Sequence, residues 1–127
     1  MSRVAKQNSK REELEIVDRG PDWLFVRLHD DSQQSDNLAD RLWQLMEKHF
    51  VYRLVLEMDE LEVMSSHLIG QLVMLQKRVL QHDGALRLCG LTPACEQALH
   101  FCRLDQALPH FHCREDAVYG CQHEKPR

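Results

Sequence analysis

The chain has 127 residues, 43% of them apolar and 28% charged, which fits one compact globular domain and excludes both a two-domain and a disordered chain. Five glycines and four prolines exclude collagen-like or linker-like character, and 16 basic against 20 acidic residues, net −4, leave no basic footprint for direct nucleic-acid binding. No run approaches the ~18 to 20 apolar residues of a membrane span and the N-terminus has no signal-peptide core, so a cytoplasmic protein without membrane insertion is expected.

The charge is uneven. Residues 1–11 hold Arg3, Lys6, Lys10 and Arg11 and no acid, so a flexible basic arm over 1–13 precedes an acidic body, and solvation of a chain terminus accounts for it. Leu14–Val17 and Trp23–Leu28 are short runs with partial alternation, separated by Asp18-Arg19-Gly20-Pro21-Asp22. That pattern predicts an opening β-hairpin. Ser35 and Asp36 can cap a helix over about 36–48 with Leu38, Leu42, Leu45 and Met46 on its apolar side. Tyr52–Met58 is apolar at consecutive positions, as in a central strand buried on both faces.

After Asp59, Glu60 and Glu62 the chain reaches Ser65 and Ser66 and enters a long helix ending near His82. Its core stripe is Leu68, Leu72, Leu75 and Val79, with Ile69, Val73 and Leu80 alongside. Ala85–Cys89 reads as a strand. Thr92 followed by Pro93 starts a third helix with Cys95, Leu99 and Cys102 on one face. Leu104–Cys113 reads as an edge strand weakened by Pro109, with a last helical turn or two after Arg114. This order of elements predicts an α/β fold, a small mixed β-sheet packed against helices.

Conventional catalytic signals are absent: no glycine-rich phosphate loop, no Gly-x-Ser-x-Gly elbow, no His-Glu-x-x-His helix. Five cysteines cannot all pair within the chain and read as reduced thiols. His110, His112 and Cys113, with Cys121 and His123 behind them, have soft-metal chemistry but match no familiar ligand spacing, so neither a metal nor any other cofactor is expected. Cys95, in the first turn of its helix, shares a face with Leu99 and reads as a packing residue.

More informative is the segment Glu62-Val-Met-Ser65-Ser66-His67, where two hydroxyls stand between a buried strand and a long helix. Either can cap the free amides of the helix. A phosphoryl group attached there would also lie at the positive helix end. On the opposite side of the helix from the core stripe, His67, Gln71, Met74, Arg78 and Gln81 form an outward line beginning beside Ser65, a solvated face or a surface for a partner.

Leu54-Val-Leu-Glu57-Met58, Met64-Ser65-Ser66-His67-Leu68-Ile69-Gly70, Asp83-Gly84-Ala85-Leu86-Arg87-Leu88-Cys89, Leu91-Thr92-Pro93 and Arg103-Leu104-Asp105 together resemble the successive landmarks of a STAS domain of the anti-sigma-factor-antagonist type. The resemblance runs over about 14–120 and leaves a tail at 121–127. It implies a single domain and a non-enzymatic regulatory adaptor that binds a switch-type serine kinase acting as anti-sigma factor. In that family the turn reads Asp-Ser-Ser-Gly and its first serine is phosphorylated. Ser65 takes that place and Ser66 its neighbour's, while Met64 stands where aspartate is usual and His67 where glycine is usual. The resemblance implies a protein partner, and the outward helix line beginning beside Ser65 is where contacts are expected, at His67, Gln71, Met74 and Arg78. A constitutive scaffold subunit of a stress-signalling or lipid-transport assembly, with Ser65 only a cap, is the alternative.

Overall fold

The computed structural model describes residues 14–29 and 37–119. The expected arm over 1–13, the Ser35/Asp36 cap and the tail over 121–127 lie outside the described residues, as do Cys121 and His123. Five strands, β1 (Glu15–Arg19), β2 (Leu24–Arg27), β3 (Arg53–Glu57), β4 (Ala85–Cys89) and β5 (His110–Phe111), form one sheet in that spatial order. Four helices accompany them: α1 (Leu38–His49), α2 (Ser66–Gln81), α3 (Pro93–Phe101) and α4 (Arg114–Tyr119). The opening hairpin is antiparallel with a bulge between Ile16 and Asp18, and every later pairing is parallel. The mixed α/β sheet expected from the order of elements is therefore the observed one.

Alternation along the strands divides the core in two, because successive side chains point to opposite faces. Leu24, Val26, Leu54, Leu56, Leu86 and Leu88 face α1, α2 and α3 and pack with Leu42, Met46, Leu68, Leu72, Leu75 and Leu99. Trp23, Phe25, Val55 and Cys89 face the other way and pack with Phe111 and with Ala117 of α4. The consecutive apolar run of β3 follows from this, since both faces of the central strand are covered. On the α4 face a buried carboxylate sits among the apolar side chains. Glu57 accepts from Arg27 at 3.2 Å and from Arg114 Nε at 2.5 Å, and Arg114 reaches on to Asp18 at 2.8 Å. Four elements are thereby joined through one charge network.

Several local expectations are corrected. Leu104–Cys113 is not one strand: the Leu108 amide donates to the Leu104 carbonyl at 2.9 Å, closing a turn, and the strand is only His110–Phe111, with the Pro109 carbonyl accepting from the Leu88 amide of β4 at 2.9 Å. Proline at 109 has no N–H to extend the ladder. Cys102 is exposed rather than aligned with Cys95 and Leu99, because α3 ends at Phe101 and the chain leaves the helical path at Cys102. Leu80 lies near the end of α2, off the core stripe, and is exposed. On α1, Trp43 and Ala39 are buried while Leu45 is only partly so, which turns the apolar side toward α2 and the Tyr52/His82 rings.

Candidate functional site

The carboxyl ends of the parallel strands and the amino ends of α2 and α3 meet at one pole of the domain. Ser65 is the N-cap of α2. Its φ and ψ of −77° and 161° are extended, its Oγ accepts from the Leu68 amide at 3.1 Å, and its carbonyl accepts from the Ile69 amide at 3.0 Å. An extended residue ahead of the first helical turn directs its side chain back over the free amides, which is why serine suits the position. Ser65, Ser66 and His67 are exposed, whereas Met64 is buried in the main core. Methionine at this position thus does a packing task, pinning the turn inward so that the next three side chains point out.

The loop from β3 to α2 is held from the side by α3. Thr92 caps α3 by accepting from the Cys95 amide at 3.3 Å, and its hydroxyl also donates across to the Leu61 carbonyl at 3.3 Å, with the Glu62 carbonyl at 3.5 Å. The buried Cys95 thiol points at the same Leu61 carbonyl, 3.5 Å away. Cys95 is therefore a packing residue with a weak donor. At Gly90, with φ +71°, the chain passes close to Asp59 to reach α3, a left-handed conformation that costs glycine little. The Thr92 cap was legible from Thr-Pro in the sequence. Its second bond, to the Leu61 carbonyl 31 residues away, depends on tertiary structure and has no local signature.

The helix positions singled out beside Ser65 do not all face the same way. Met74 points outward and is 54% exposed. Gln71 leans toward α1, where its Oε1 accepts from the Ala39 amide at 2.8 Å and so serves the free N-terminus of that helix. Arg78 also leans toward α1, pairing with Asp40 at 3.2 Å and lying 5.6 Å over the Trp43 ring. Val63, two residues before Ser65, is 58% exposed. Like Met74 it is an exposed apolar side chain, and its position in an irregular loop left it outside any periodic pattern.

A crevice of about 330 Å³ lies on the other side of the same pole, lined by Glu57, Asp59, Cys89, Gly90, His112, Cys113, Arg114 and Glu115. Among the described residues no three His, Cys, Asp or Glu side chains converge as a metal ion requires. Burial and the neighbouring Glu57 carboxylate push the Cys89 thiol up to about 12, so it stays protonated at neutral pH. Glu57 itself is committed to Arg27 and Arg114, and the hydrogen bond that Arg114 donates to Glu57 is what holds its guanidinium above the ordinary pKa. Glu57, Arg27 and Arg114 thus make a structural charge network on this side of the pole, and at its rim the exposed Cys113 thiol lies 3.5 Å from a Glu115 oxygen.

A family model described as STAS domain matches residues 25–117. Among solved structures, the Thermotoga maritima protein TM1081 is similar in fold, with 13% identity and a TM-score of 0.72 over 80% of this chain and 83% of that one. A variant of RsbS from Moorella thermoacetica gives 17% identity and a TM-score of 0.69, covering 84% of this chain and 92% of its own. SpoIIAA, described as an anti-sigma factor antagonist and solved in its unphosphorylated form, gives 21% identity and a TM-score of 0.63 over 85% and 96% of the two chains. No curated protein matches the sequence. None of the helices formed by the described residues is long and apolar enough to cross a membrane.

Proposed function

The chain belongs to the STAS domain family, and we propose that it is a non-enzymatic adaptor of the anti-sigma-factor-antagonist kind, docking on a switch-type serine kinase. The docking surface is the start of α2 with the preceding loop: Val63, Ser65, Ser66, His67 and Met74, bordered by Gln71 and Arg78. Ser65 is the switch. Unmodified, the chain occupies the kinase and displaces the kinase's client; phosphorylated, it is released.

One observation carries this reading: an exposed serine hydroxyl stands at the N-cap of a 16-residue helix, with the residue before it anchored in the core. A phosphate at that point meets free helix amides that stabilise a dianion, so modification need not disturb the fold. The dianion instead changes the surface, adding about −1.5 to −2 charges next to the exposed Glu62. A partner that fits a neutral hydroxyl loses that fit and meets new repulsion.

The experiment is site mapping by mass spectrometry on protein isolated from its host, together with a Ser65→Ala variant assayed for signalling. Phosphate on Ser65 and an altered response in the variant are expected. Phosphate consistently elsewhere, or a variant that signals normally, refutes the switch and leaves the constitutive scaffold.

A further inference from the structure

The loop that leads to Ser65 is fastened to the edge of the sheet by a single imidazole. His29, which follows β2, places Nε2 at 2.6 Å from an Oε1 of Glu15 on β1 and Nδ1 at 2.6 Å from an Oε1 of Glu60 in the β3–α2 loop. A neutral imidazole has one N–H and one lone pair. Against two carboxylates, which only accept when ionised, neutral histidine can satisfy one contact and must set the lone pair of its other nitrogen against a negative oxygen. Only the imidazolium donates to both.

We propose that His29 is a protonation-dependent clasp: charged, it ties β1 to the Glu60 end of the β3–α2 loop; neutral, it gives up one carboxylate and frees that end, while Thr92 still holds the loop at Leu61 and Glu62. The clasp uses no residue of the partner surface and does not require Ser65 to be phosphorylated. Among the described residues, the neighbouring cation Arg27 is engaged elsewhere. Arg27, two residues back on β2, is held by Glu57 at 3.2 Å and by Asp59 at 3.6 Å. Among the described residues, the carboxylates bonded to the ring are Glu15 from β1 and Glu60 from the loop.

Burial opposes the charge, but the two hydrogen bonds and the attraction of Glu15 and Glu60 outweigh it and raise the pKa above the ordinary 6.5. The sign follows from linkage. A group whose pKa is higher when folded contributes fully below its unfolded value, and that contribution is lost as pH rises through the folded value. The clasp is thus closed in mildly acidic solution and opens toward the alkaline side. Because Glu60 lies five residues before Ser65, opening alters the segment that a partner must grip.

Proton-carbon NMR titration of the His29 ring in the full chain, with loop amides followed in the same samples, tests this. The His29 midpoint is expected above 6.5, with the Glu60 to Ser65 amides shifting at the same midpoint. Glu60→Gln and Glu15→Gln, both conservative changes at exposed positions, should each lower that midpoint. His29→Asn should remove the inflection from the loop amides. A midpoint at or below 6.5, unchanged midpoints in both glutamine variants, or loop shifts that persist in His29→Asn would overturn the proposal. All of this is read on unmodified protein without a partner, so its failure and that of the phosphorylation switch are separable.

Discussion

Glu57→Gln probes the network that ties α4 to the sheet. The wild-type carboxylate is 9% exposed and accepts from two guanidinium groups, at 3.2 Å from Arg27 and 2.5 Å from Arg114. Removing one member of a fully buried ion pair costs ~3–5 kcal/mol, because the other charge is left uncompensated. Here the cost is smaller. Arg27 and Arg114 are 27% and 34% exposed, and each has a second carboxylate, Asp59 at 3.6 Å and Asp18 at 2.8 Å. Water and those acids recover part of the loss, which brings the expected destabilisation to about 2 kcal/mol, or a Tm lower by roughly 6–10 °C. Urea unfolding followed by circular dichroism measures it, and fluorescence of Trp23, on the α4 face, reports whether the loss begins there. A double-mutant cycle with Arg114→Gln should show a coupling of about 1–2 kcal/mol. A destabilisation below about 0.5 kcal/mol, or additive single variants, would refute the idea that this network holds α4 in place.

At the partner surface, Met74→Glu and His67→Glu should each weaken partner binding by about 1–3 kcal/mol in titration calorimetry while leaving Tm nearly unchanged. Arg78→Glu should weaken partner binding and also lower stability, since a carboxylate there faces Asp40 and abandons the Trp43 ring; its folding cost is about 0.5–1 kcal/mol by thermal unfolding. Alkylation with iodoacetamide near pH 8 should label the exposed Cys102 and Cys113 quickly and spare Cys89, whose thiol is pushed up to about 12, until the domain is unfolded in urea. Thr92→Val should lose the α3 cap and the tie to the Leu61 carbonyl together, costing about 1–2 kcal/mol in urea unfolding; a cost under half of that would mean the loop is held by other contacts.

The parts of the fold visible in the sequence are those governed by local rules. Leu54-Val-Leu is continuous because both faces of β3 are covered, Thr92-Pro93 caps a helix, and Ser65 sits where an extended residue precedes a long amphipathic run. The misread parts depend on partners distant in sequence. Gln71 and Arg78 have helix periodicity that points them outward, but α1 lies close enough to take both, through the Ala39 amide and Asp40. Gln76 occupies a core-side position because Ala107 supplies a carbonyl at 2.6 Å, which no pattern of apolar residues announces. Glu57 within a buried strand was legible as burial but not as a charge, since its counter-ions come from residues 30 and 57 positions away. Leu104–Cys113 has strand-like composition, yet the backbone bonds close a turn first. At the proposed docking pole, the exposed positions of Ser65, Ser66 and His67 follow from the local pattern, whereas the exposure of Val63 and the His29 contacts depend on the fold of the loop.

The central claim is that a phosphate on Ser65 governs partner choice. Its most direct test is the affinity of one purified switch kinase, identified by capture from the host, for the unmodified chain and for the same chain phosphorylated at Ser65, measured side by side by titration calorimetry. Tight binding of the unmodified form and at least a tenfold loss on phosphorylation, about 1.4 kcal/mol, are expected, with superimposable circular dichroism spectra. Equal affinity of the two forms, or a loss accompanied by unfolding, would contradict it.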